Sequence, residues 1–223
     1  MAKWNVIAEE SKSVPHWQQH QGSEDIVEVK ISRRDENFRV DVLQTVVRSF
    51  RELSTWHNRV FAVAPSLNDA LKASTERAID ANISQCLFIQ SISRAHATAV
   101  DYIADELGAE KSKPVCTAFE FRNDNPQDEV SVEVIISWRS GNVRAEIIEK
   151  TSMAGFVSRK SVFAIEGEFD ALIRAVKLRA SLVGIDDSLI DLALADARIK
   201  ILNHDFPAFT LVPVVGLQVG ATC

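Results

Sequence analysis

The sequence predicts an α+β fold: an antiparallel sheet, a meander of three to five strands, with helices on one face, including a long helical hairpin. Three observations carry this. A stretch near residues 115–150 alternates apolar and polar side chains with the period of two that a half-buried strand requires. Neither glycine nor proline occurs between Asp35 and Ala64, nor between Ser66 and Leu107, and apolar residues there recur at helical steps. A third helical pattern, EFDALIRAVKLRASLVG, follows the alternating region.

Taken in order, residues 1–23 read as a polar, partly mobile leader, and residues 24–223 as a single α+β domain. In DIVEVKIS, Val27, Val29 and Ile31 alternate with Glu28, Lys30 and Ser32, a strand wet on one face. The hairpin is placed at about 37–107. Its first helix, near 37–60, rests on the stripe Leu43, Val46, Val47, Phe50, Leu53, His57 and Val60. Pro65 marks the turn, and Ser66 with Asp69 offers a capping box for a second helix from 67 to 107 that Gly108 closes in a left-handed conformation. Unbroken, that helix would be about 60 Å long at 1.5 Å per residue. The rival reading makes CLFIQSI, residues 86–92, a buried strand that splits it.

The sheet is placed at about 115–166. VCTAFEFR sets Val115, Thr117, Phe119 and Phe121 on one face, and EVSVEVIISWR sets Val132, Val134, Ile136 and Trp138 opposite Ser131, Glu133, Ser137 and Arg139. Ser140-Gly141-Asn142 is a short hairpin connection to VRAEIIEK, and KSVFAIEG supplies a fourth strand. C-terminal helices and an apolar tail occupy 168–223, the first helix stopping at Gly184 and a second being capped near Asp187-Ser188.

The composition, 46% hydrophobic and 25% charged over 223 residues, is that of an ordinary globular chain. The net charge of −6 speaks against nucleic acid as a partner. No apolar run approaches the ~20 residues of a membrane span. Cys86, Cys116 and Cys223 stand in unrelated contexts and read as reduced thiols of a cytoplasmic protein.

Chemistry is sparse. His16 and His20, four apart, have no third or fourth ligand at metal spacing, so no metal site is expected. With 8 glycines, neither a dinucleotide fingerprint nor a phosphate loop occurs, and no cofactor is expected. Asp124–Asp128 and Asp186-Asp187 lack calcium-loop spacing and read as a solvated loop and a helix start. Arg33-Arg34, Arg139, Arg144 and Arg159-Lys160 read as a solvated face, because stacking aromatics are not interleaved with them. His204 beside Asp205 is a weak base-and-acid pair, and no motif ties the chain to a known family.

The sequence therefore points to a non-enzymatic protein–protein interaction or assembly protein: an assembly factor, inhibitor, immunity-type protein or complex subunit, with self-association expected. The partner-binding candidates are Phe206, Phe209, Leu211 and Val215 in the tail, with Val100 and Leu107 on the long helix. The alternative is a small-molecule-binding or hydrolytic enzyme whose site assembles between sheet and helices from His57, His96 and Asp101.

Overall fold

The computed structural model describes residues 3–15, 24–50, 52–109, 113–125, 128–139, 142–153 and 156–202. It bears out an α+β protein built on antiparallel meanders, with helices packed on strands. Where the sequence predicts one domain from residue 24, the chain divides into two compact units, Met1–Tyr102 and Ile103–Cys223.

The first unit opens with a four-stranded sheet in sequential order: β1 (Asn5–Pro15), β2 (Glu24–Arg34), β3 (Asn37–Phe50) and β4 (Glu52–Ala64). β1 runs through residues assigned from sequence to the leader. Its short side chains and charges suit an edge strand, and it pairs antiparallel with β2 from Asn5↔Arg33 to Pro15↔Glu24. Asp35, with φ of 54°, makes the tight connection from β2 to β3. Val27, Val29, Ile31, Val40, Val42 and Ala62 form the buried face of the sheet. Helix α1 (Leu67–Asp80) packs on β3 and β4 through Leu67, Ala70, Leu71, Ser74 and Ala78. The predicted cap holds: Ser66 Oγ accepts from the Asp69 amide at 3.1 Å and donates to its carboxylate at 2.6 Å. Helix α2 (Gln85–Glu106) is tied to β2 and β1 by two bonds: Ser91 Oγ donates to the Val27 carbonyl at 3.0 Å and the Asn5 amide donates to the Tyr102 hydroxyl at 3.4 Å.

Two expectations fail here. Residues 37–60 are not a helix but β3 and most of β4, paired from Phe38↔Ala64 to Phe50↔Glu52. Val40, Val42, Thr45, Val46 and Val47 branch at Cβ and favour extended backbone. Buried Val40, Val42, Gln44 and Val46 also alternate with half-buried Asp41, Leu43, Thr45 and Val47. The stripe read at three-to-four spacing mixed both faces. The 60 Å helix fails as well, because α1 stops at Asp80. Asn82 turns left-handed at φ 53°, the Ile83 amide donates back to the Ala78 carbonyl at 3.0 Å, and Ile83 buries itself. Residues 86–92 are helical, as preferred, and Gly108 closes α2 at φ 68°.

The second unit repeats the plan with β5 (Lys113–Asn125), β6 (Asp128–Arg139), β7 (Asn142–Met153) and β8 (Phe156–Glu166), again in sequential order. The predicted meander and fourth strand are present, while Ser140 and Gly141 lie outside the described residues. Ala118, Val132, Val134, Ile136, Ala145, Ile147 and Val162 form its buried face. Helix α3 (Phe169–Leu182) packs on β7 and β8, and α4 (Asp187–Leu202) on β5 and β6. Asp186 caps α4, accepting from the Ser188 and Leu189 amides at 3.0 and 3.2 Å.

The two units are copies of one module. Glu24–Gln44 aligns without a gap on Glu129–Glu149, so EDIVEVKISRR lies over EVSVEVIISWR and NFRVDVLQ over NVRAEIIE. The likeness extends to single bonds. Arg77 in the last turn of α1 donates to the Phe61 carbonyl of β4, and Arg179 in the last turn of α3 donates to the Phe163 carbonyl of β8. Gly184, left-handed at φ 69°, stands where Asn82 stands, and buried Ile185 donates to the Ala180 carbonyl as Ile83 does to Ala78.

Candidate functional site

Antiparallel pairing puts directly opposed residues on one side of a sheet. In the first sheet, the side away from Val40 and Val42 therefore carries Lys30, Asp41 and Phe61 in one row, Arg39 and Val63 in the next, and Leu43 and Arg59 beyond. Arg39 makes a two-pronged hydrogen bond to Asp41 at 2.7 and 2.6 Å, and Arg59 reaches the same carboxylate at 2.8 Å. Arg39 also lies over the Phe61 ring, 4.8 Å from its centre. One carboxylate thus serves two guanidinium groups beside an aromatic ring, while Glu9 and Glu28, on the same side of the sheet, pair with Lys30.

Burial pushes the Asp41 carboxyl up, but the hydrogen bonds and charges of Arg39 and Arg59 outweigh it and hold it below the usual carboxylate range. The bond to Asp41 raises the Arg39 guanidinium in turn, and the bond to Glu9 at 2.9 Å raises Lys30.

Phe61 is 48% exposed and Val63 equally so, and the Arg59 side chain is 61% exposed. Around the edge of β4 these residues run into a groove of about 440 Å³ lined by Arg59, Val60, Phe61, Arg77, Asp80 and Ala81. β4 is the last strand of its sheet, so this face and the groove, which also carries the acid Asp80, meet along one margin of apolar and charged groups. It has the make-up of a contact surface: an aromatic and an aliphatic group flanked by arginines.

The residues singled out from sequence fall elsewhere. Phe206, Phe209, Leu211, Val215, His16, His20 and His204 lie outside the described residues. Val100 is half-buried in α2, and Leu107 is 80% exposed just beyond its end. His57 is not on a helix but exposed on β4, its Nδ1 3.1 Å from Thr45 Oγ1, whereas His96 is buried in α2 and Asp101 half-buried there. The described residues hold no cluster of three or more His, Cys, Asp or Glu able to bind a metal. No helix among them is long and apolar enough to cross a membrane. Arg139 and Arg144 do not belong to a solvated face: both are buried, and Arg139 pairs with Asp105 in the last turn of α2.

Sequence reasoning missed Phe61, Val63, Arg59 and Arg77. The signal was the phase of β4: once Ala62 is placed inward, Phe61 and Val63 must point outward, and two large apolar groups on a solvated face call for an explanation. The chain matches no known family of proteins, none of the curated proteins compared with it and none of the solved structures.

Proposed function

We propose that the chain is a non-enzymatic protein–protein interaction protein, and that the margin formed by Arg39, Arg59, Phe61 and Val63 is where it binds its partner. The observation that carries this is the contrast between exposed Phe61 and Val63 and the fully buried face behind them, on the last strand of a sheet. Covering what is still exposed of two such side chains contributes on the order of 1 kcal/mol each, enough to help anchor a contact. The reading replaces the apolar helix seam that a continuous helix would have offered. Cytoplasmic residence belongs to the same proposal and rests on the sequence alone, in which Cys86, Cys116 and Cys223 stand in unrelated contexts.

The test is site-specific photo-crosslinking of the full chain in its source cells. A photoreactive residue at Phe61 is expected to give a discrete adduct that the same residue at Lys72, on exposed α1, does not, and Arg59→Glu should diminish it. Adducts of equal yield at both positions, or none at Phe61, would refute the proposal.

A further inference from the structure

The two units leave opposite surfaces open. With Ile83 laid over Ile185, α2 runs in register with α4: Leu87, Phe88 and Ala95 lie over Leu189, Ile190 and Ala197, and all six are buried. The next face of the helix differs. In α2 it carries Gln90, Ser93 and Ala97, all buried, whereas in α4 it carries Leu192, Ala195 and Ile199, with Leu192 56% and Ile199 59% exposed. The larger apolar groups thus stand on the helix whose face is open. A face meant for water would show the opposite trend.

The sheets are arranged the other way round. Arg39, Asp41, Leu43, Phe61 and Val63, on the outer side of the first sheet, correspond to Arg144, Glu146, Ile148, Phe163 and Ile165. Arg144, Ile148 and Phe163 are buried, while Phe61 and Val63 stand open. The first unit therefore has its helix face covered and its sheet face open, and the second unit has the reverse.

Neither open surface calls for a countercharge. On the sheet, Arg39 and Arg59 share Asp41, and Lys30 pairs with Glu9 and Glu28. On α4, Asp196 pairs with Lys200, and Asp191 with Lys177 of α3. What is left to cover is apolar on both: Leu192 and Ile199, two turns apart, and Phe61 and Val63, side by side on one strand. A fitting partner for either is an apolar surface with its own charges matched, and every molecule of this chain carries one of each kind. We infer that the chain associates with itself head to tail, the α4 face of one molecule (Leu192, Ala195, Ile199) packing on the outer face of the first sheet (Leu43, Phe61, Val63) of the next. Each molecule gives one surface and receives the other. This deepens the proposed function and rests on it, making the partner at Phe61 a second molecule of the same chain.

The experiment is analytical ultracentrifugation of the full chain and of two variants, Phe61→Glu and Leu192→Glu, alone and mixed. The unaltered chain should sediment above its monomer mass of 24.8 kDa as concentration rises. Each variant alone lacks one of the two surfaces that every contact needs, and should remain a monomer. An equal mixture should recover a particle of twice the monomer mass and no larger, the intact α4 of Phe61→Glu seated on the intact sheet of Leu192→Glu. Lys72→Glu, an exposed charge reversal on α1, should associate like the unaltered chain. Both substituted side chains are about half exposed, so melting should be unchanged; if one variant melts early, Val63→Glu or Ile199→Glu replaces it. An unaltered chain that stays monomeric, a variant that still pairs alone, or a mixture that does not recover the dimer would each overturn the inference. If the adduct crosslinked at Phe61 has a mass other than twice 24.8 kDa, the interaction reading stands and only self-association is lost. With no adduct at Phe61, both fall.

Discussion

The first and second units share a chain path, yet each solves the same internal problem in a different chemical language. In the second, Lys160 pairs with buried Glu149 at 2.9 Å, donates to the Gly184 carbonyl at 2.5 Å, and Glu149 accepts from the Asp186 amide at 3.0 Å. The corresponding residues of the first unit are Asn58 and Gln44, and Asn58 donates to the Ala81 carbonyl at 2.7 Å. Where one copy has a charged pair, the other has two neutral amides in register, of which Asn58 makes the bond. Lys160 and Asn58 both tie the inner side of the sheet to the turn after the first helix. What the module requires at that place is a tether between strand and helix end, and charge is optional.

The largest effects should come where the copies agree. Ile83→Asp and Ile185→Asp each put a carboxylate into a buried helix-stop, and each should cost about 4 kcal/mol or unfold its unit, read by chemical denaturation of the full chain. Equal losses would show that the stop carries equal weight in both copies. A silent Ile83→Asp would break the equivalence.

Next comes the tether. Lys160→Met leaves Glu149 charged, buried and short of its partner, and should cost about 3 kcal/mol. Adding Glu149→Gln should recover most of that loss, since it removes the charge that lost its partner, and double-mutant denaturation midpoints check this. A double variant no better than Lys160→Met would mean that the second unit depends on the ion pair itself.

Smaller differences should separate the two arginines at the strand edges. Arg179 is partly buried, and burial lowers its pKa despite the opposing charge of Glu166, while Arg77 is exposed. Arg179→Ala should cost about 2 kcal/mol, Arg77→Ala under about 1, on the same denaturation measurement.

The smallest effects concern pH. The Asp41 carboxyl is held below its usual range, so its contribution is fully present above the unfolded value of about 4 and fades as pH falls through the folded one. Asp41→Asn should therefore destabilise by about 1 kcal/mol at pH 7 and make little difference in strong acid. Glu166 behaves oppositely. Burial raises its carboxyl against the pull of Arg179 and Arg174, so its favourable contribution exists at low pH and is lost as pH rises through the raised value. Glu166→Gln should stabilise slightly at pH 7, by less than about 1 kcal/mol, and be neutral below about pH 4. Denaturation series across pH 3–7 would expose both slopes.

The second meander was legible because Val132, Val134 and Ile136 alternate with Ser131, Glu133 and Ser137, with Ile135 the one apolar residue out of phase. The first hairpin was not, because half-buried Leu43, Thr45 and Val47 on its other side imitate the apolar spacing of a helix. Its turn, at Phe50↔Glu52, also contains neither glycine nor proline to punctuate it. The break after α1 was hidden for a related reason: asparagine at position 82 adopts the left-handed turn that glycine announces at position 184. The duplication itself could be read from EDIVEVKISRR and EVSVEVIISWR laid side by side. The exposed margin at Phe61 and Val63 could not, because it depends on which copy of a shared face is left exposed, and that is a property of the fold and not of any motif.

The arginine that ends each module's first helix has a consequence for how the protein keeps in solution. β4 and β8 are the final strands of their sheets, and a final strand offers backbone groups on which a foreign strand can template itself. Arg77 and Arg179 occupy a carbonyl of each strand, at Phe61 and Phe163, with a bulky cation. Growth of one sheet onto another must first displace a guanidinium group and bring that charge against its neighbours. Removing Arg77, whose strand also exposes Phe61 and Val63, should therefore show its chief effect in slow fibrillar aggregation of concentrated protein, followed by thioflavin fluorescence, and not in the folded state's own stability.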